Sequence, residues 1–138
     1  MLFKSRRRKL LESRVAFSDD DFLRAVGAQP KDARFILAAR RAVARVCRMA
    51  PEVIYPDDPP SMFEPLPTLA WDDSEVVLEI ESELGIALGS DPPRFLPGRF
   101  FWRHYPAPGT FGEWAVKFAG WAINSVQPTA ARSAVSGG

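Results

Sequence analysis

Apolar residues recur at helical spacing in three long stretches of this chain, and the alternation that would build strands is convincing nowhere. The first stretch is DARFILAARRAVARVCRM, residues 32–49. At about 100° per residue, Phe35, Ile36, Ala39, Ala42, Val43 and Val46 share one stripe, and Arg34, Arg41, Arg45 and Arg48 lie nearly opposite. An apolar stripe of that width needs other elements to cover it. The second stretch, DDSEVVLEIESELG, spans residues 72–85. Asp72 with Glu75 makes a start like a capping box, and Gly85 is a stop. Val76, Val77, Ile80 and Leu84 form its buried stripe. Glu75, Glu79 and Glu83 are set on the opposite side, and Leu78 projects beside the acids. The third stretch is TFGEWAVKFAGWAINSVQ, residues 110–127, opened by a Thr110–Glu113 capping box and ended by Pro128. Phe111, Trp114, Ala115, Phe118, Trp121 and Ala122 give it a core stripe.

Shorter signals fill the gaps. Ser18-Asp19-Asp20-Asp21 opens a short helix, since a serine can cap and acids suit the positive end of the helix dipole. Gly27 closes it. Residues 51–67 hold six prolines, which breaks any regular element. Val53, Ile54, Met62 and Phe63 supply that loop with apolar anchors, so it packs onto the domain. The end, PTAARSAVSGG, reads as a disordered tail. The expectation is an all-α protein: a small helical bundle over 18–127, an N-terminal extension over 1–17 and a tail over 128–138.

Charge changes this picture at one end. The net +1 conceals six bases against one acid in residues 1–17 (Lys4, Arg6, Arg7, Arg8, Lys9 and Arg14 against Glu12), while the rest holds 12 bases and 16 acids. The basic character belongs to the extension, which can touch anionic surfaces weakly. SRRRKLL has the arginines of an export signal, but ESRVAFSDDD follows in place of an apolar stretch, so export is rejected. An arginine-rich organelle presequence is compatible with the composition. No run is long enough to span a membrane. The single Cys47 excludes an intrachain disulfide and a cysteine-based zinc site, and it fits a reducing, cytoplasmic compartment.

The order of elements resembles the acyl carrier protein family over roughly residues 33–124. CRMAPEVIYPDDPPSMF is similar to the place where carriers leave the first helix. EVVLEIESELGIAL is similar to their acidic second helix, and TFGEWA to the Thr-apolar-Gly-acidic start of their last one. The resemblance implies an acyl-carrier-like bundle, with a long aromatic insert before the last helix. It also implies that basic patches of partner proteins dock on the second helix, through Asp72, Glu75, Leu78, Glu79 and Glu83. Carriers bear 4'-phosphopantetheine on a serine at the start of that helix. Counting back from Leu84 by the family's interval puts Ala70 there; a helix one turn shorter puts Asp73 there; only a third register uses Asp73-Ser74. The leading expectation is therefore a non-catalytic carrier-like binding module without a cofactor. The alternative is a functional acyl or peptidyl carrier with phosphopantetheine on Ser74. Physical chemistry adds an independent reason to look at this helix. A dense negative stripe repels itself unless a cation offsets it, and the arginine face of 32–49 or solvent are the plain candidates.

Residues 94–105, RFLPGRFFWRHY, combine five aromatics, three arginines and the one histidine, His104. Stacking and phosphate contacts would suit single-stranded nucleic acid, which gives a second alternative using the basic extension and this segment. The acidic domain opposes a polyanion, however, and Phe95, Phe100 and Trp102 are expected to act as core or lid. Neither neighbour of His104 can orient it as a base, and the chain has no metal-ligand cluster or nucleotide-binding glycine motif. No enzyme activity is expected.

Overall fold

A computed structural model describes residues 6–63, 73–93 and 109–126. The helices are α1 (Arg6–Glu12), α2 (Asp19–Val26), α3 (Ala33–Cys47), α4 (Asp73–Leu84) and α5 (Phe111–Ser125). Two single 3-10 turns, Pro51–Val53 and Pro60–Phe63, interrupt the proline-rich loop. No strand occurs among the described residues, and the protein is an all-α bundle. The aromatic segment 94–105, Asp72 and the tail 128–138 lie outside the described residues.

The helix ends follow their local chemistry. The Ser18 side chain accepts the Asp21 N–H, and Thr110 accepts the Glu113 N–H. At the end of α2, Gly27 sits at φ 68°, where its N–H and that of Ala28 return to the Arg24 and Leu23 carbonyls. The end of α3 makes the same motif with Arg48 at φ 57° and Met49 bonding back to Ala44. Gly85, at φ 64°, ends α4, and the Ile86 N–H reaches the Glu81 carbonyl. Such left-handed stops satisfy carbonyls that a helix terminus would otherwise leave open.

α3 is the central element and packs against α2, α4 and α5. Its Phe35, Ile36, Ala39, Ala42 and Val43 are buried, as the spacing predicts, together with Val76 and Ile80 of α4 and Phe111, Trp114, Ala115, Phe118 and Ala122 of α5. Val46, Val77, Leu84 and Trp121 pack at the edge of this core. Small residues on α3 let the larger rings of α5 interdigitate, and adjacent rings of Phe111, Trp114 and Phe118 lie 5.7 Å and 5.3 Å apart.

The proline-rich loop packs as its apolar anchors foretell. Val53, Ile54 and Phe63 are buried, and Met62 is half-buried. The loop also holds the start of α5. The Asp58 and Pro56 carbonyls accept the Phe111 and Gly112 N–H groups, at 2.7 Å and 2.8 Å. A Cβ on Gly112 would come within 2.9 Å of Val26 Cγ1 and 3.0 Å of the Pro56 oxygen, so glycine is required by close approach.

Part of the expected N-terminal extension packs against the bundle. Leu11 is 1 % exposed, and Arg14 Nη1 donates to Asp58 Oδ2 at 2.7 Å and to the Val53 carbonyl at 3.1 Å. The Phe17 N–H donates to the Glu52 carbonyl, and the Tyr55 hydroxyl donates to that of Val15. Residues 11–17 are therefore laced to the loop and belong to the packed domain.

Candidate functional site

α4 presents three kinds of position around its circumference. Val76 and Ile80 point into the core, and the opposite ridge carries Ser74, Glu75, Leu78 and Ser82, all exposed. Leu78 is 63 % exposed, so its placement away from the buried stripe agrees with the sequence. Ser74 lies in the first turn, one residue after Asp73 opens the helix. The acids do not share a single face, which corrects the expected outward stripe. Each step of four residues advances about 40° around a helix, so the row Glu75, Glu79, Glu83 winds from the outer ridge towards the core.

The third acid of that row is taken up within the fold. Arg41 Nε and Nη2 donate to the two oxygens of Glu83 at 2.7 Å and 3.1 Å, and Arg45 Nη2 adds a bond at 3.0 Å. The Glu83 side chain is 19 % exposed. Glu79 pairs with Arg45 Nε at 3.3 Å and keeps a more open side chain. Pairing 41 with 83 and 45 with 79 shows that α4 lies antiparallel to α3. Glu81, on the other flank, accepts the Leu88 N–H at 2.8 Å and holds the turn after the helix. Burial pushes the Glu83 carboxyl up, but the bonds and charges of Arg41 and then Arg45 outweigh it, and the net shift is below the ordinary carboxylate value. The bond to Glu83 raises Arg41 in turn, against the opposing effect of burial.

Of the expected docking residues, the structure thus brings Glu75 and Leu78 to one exposed ridge, with Glu79 at its edge. Glu83 is held by Arg41 and Arg45 of α3 rather than standing on that ridge. Asp72 and His104 lie outside the described residues. Among the described residues, no group of His, Cys, Asp and Glu could hold a metal ion.

One residue missed from the sequence is Arg40. It is 0 % exposed, donates through Nε and Nη2 to the Ile54 carbonyl, through Nη2 to Phe17 and through Nη1 to Asp19, and lies 4.5 Å from the Phe22 ring centre. Burial lowers its pKa from the ordinary arginine value, and the Asp19 bond and charge work in the opposite direction. Its spacing from Ile36 (four residues) and Val43 (three) was the available signal: Arg40 falls on the apolar stripe, where a charge must find partners.

Comparison with protein-family models, curated proteins and solved structures finds no match to this chain. No described helix is long and apolar enough to cross a membrane.

Proposed function

We propose that this chain is a non-catalytic, acyl-carrier-like module that docks a basic surface of another protein on the outer ridge of α4. The observation that supports it most is Leu78, a large aliphatic side chain standing 63 % exposed between Ser74, Glu75 and Ser82. The serines on either side of it are short and exposed, so they screen it little. Glu75 lends the ridge negative charge that steers a basic partner, Glu79 at its edge being shared with Arg45, and burying Leu78 supplies the apolar gain. The lone cysteine suits a cytoplasmic setting. Leu78→Glu should leave the melting temperature unchanged and abolish capture of the partner by the full-length protein. Unfolding of that variant, or undiminished capture, contradicts the reading.

A second reading rests on Ser74, which is exposed in the first turn of α4. That placement suits transfer of a phosphopantetheine arm from coenzyme A. Intact-mass measurement after incubation with a broad-specificity phosphopantetheinyl transferase and coenzyme A decides it. A mass gain that Ser74→Ala removes makes the chain a true carrier, and an unchanged mass leaves docking alone.

A further inference from the structure

Two remote parts of the chain meet at Asp58, which is 4 % exposed. Its Oδ2 accepts Arg14 Nη1 at 2.7 Å and the Tyr55 N–H at 2.8 Å. Its carbonyl accepts the Phe111 N–H at 2.7 Å. One residue thus holds the N-terminal segment with its side chain and the start of α5 with its backbone. The other contacts of Arg14 fall on the same loop. It donates to the Val53 carbonyl at 3.1 Å and lies 4.4 Å from the centre of the Tyr55 ring, which packs at 5.3 Å against Phe17. At the far side of the loop stands a helix start, whose first N–H groups have no partners within the helix. The Asp58 carbonyl takes that of Phe111, the Pro56 carbonyl that of Gly112, and Thr110 Oγ1 that of Glu113. Two of these three acceptors belong to the loop that Arg14 grips.

We propose that residues 11–17 form a latch: their release from the loop and the opening of the first turn of α5 are one coupled event. The cause is a buried charge. Once Arg14 leaves, the Asp58 carboxylate keeps the Tyr55 N–H as its remaining donor among the described residues. A carboxylate so enclosed and without its cation is far less favourable than an ordinary lost hydrogen bond. The loop relieves it by turning residue 58 towards water, and the same movement draws the Asp58 and Pro56 carbonyls away from Phe111 and Gly112. Coupling of this kind acts in both directions. A ligand that seizes residues 11–17 in their released form loosens α5, and displacement of the start of α5 frees the segment. The latch uses no residue of the outer ridge of α4, so either can fail without the other.

Amide hydrogen exchange of the full-length protein, followed residue by residue by NMR, tests it. In the unaltered protein, exchange at Phe17, Phe111 and Gly112 should report one shared opening that precedes global unfolding, with Ile80 in the core of α4 opening later. Arg14→Met should speed exchange at Phe111 and Gly112 about tenfold relative to Ile80. Adding Asp58→Asn removes the stranded charge, leaves an oxygen for the Tyr55 N–H, and should restore most of the protection. In the reverse direction, Gly112→Ala should speed exchange at Phe17, whose N–H meets the Glu52 carbonyl at 2.9 Å, again relative to Ile80. Unchanged protection at Phe111 and Gly112 in Arg14→Met overturns the proposal. So does a loss that Ile80 shares equally, because that describes general destabilisation, and so does failure of Asp58→Asn to rescue. Should the variants not fold, the unaltered protein still decides: openings of Phe17 and of Phe111 with Gly112 at separate urea concentrations contradict a single event.

Discussion

Arg40 and Arg41 are neighbours in sequence, yet about 100° apart around α3 they serve different ends. Arg40 turns into the molecule and ties together α3, the start of α2 and the proline-rich loop, mostly through backbone carbonyls. Arg41, with Arg45, turns towards α4 and meets carboxylates at a partly open seam. The first arrangement satisfies carbonyls of the loop and of the segment before α2 at a buried junction. The second neutralises one side of an acidic helix, beyond which the ridge of Ser74, Glu75, Leu78 and Ser82 is exposed. The same side-chain chemistry is therefore structural where water is excluded, and adjustable where water remains.

This contrast can be broken most forcefully at Arg40. Arg40→Met should cost about 3 kcal/mol or more, since the Ile54 and Phe17 carbonyls lose their buried donor; urea unfolding measures it. A loss below about 1 kcal/mol, within the range of ordinary exposed ion pairs, would put both clusters in one class. Gly112→Ala tests the neighbouring junction between loop and α5 and should cost about 2 kcal/mol, because the added carbon meets Val26 and backbone that cannot yield easily. Urea unfolding again provides the measure.

At the open seam the effects should be smaller. Glu83→Gln should cost about 1 kcal/mol near neutrality, and its pH dependence sharpens the difference. The folded pKa of Glu83 is depressed, so its contribution is fully present above the unfolded carboxylate value and disappears as pH falls through the folded one. Wild type and variant should converge in stability on acidification. A gap that persists at low pH would show that shape, not charge, secures the seam. Smallest of all, Leu78→Glu on the outer ridge should change stability by less than about 0.5 kcal/mol, read by thermal melting.

The sequence carried the helices well because their apolar spacing, caps and glycine stops are local. It also foretold that Val53, Ile54 and Phe63 would pin the loop. What escaped it was long-range: Arg14 and Asp58 are 44 positions apart, and no periodicity connects them. The site was read in part. Leu78 stood where the pattern put it, because one residue's direction relative to a buried stripe is well defined. Glu83 did not, because an i, i+4, i+8 row drifts around the helix and its last member reached the arginines of α3. The basic extension was visible as a charge block, but the docking of Leu11 and Arg14 onto the domain was not.

The outer ridge of α4 is most directly examined by photo-cross-linking in cells, with the reactive side chain placed at position 78 and, for comparison, at Val116, the exposed apolar residue of α5. The account predicts covalent capture of another protein from position 78 and not from position 116, with the yield falling sharply when Glu75→Lys is added. Equal capture from both positions, or capture at 78 indifferent to the charge at 75, would contradict it.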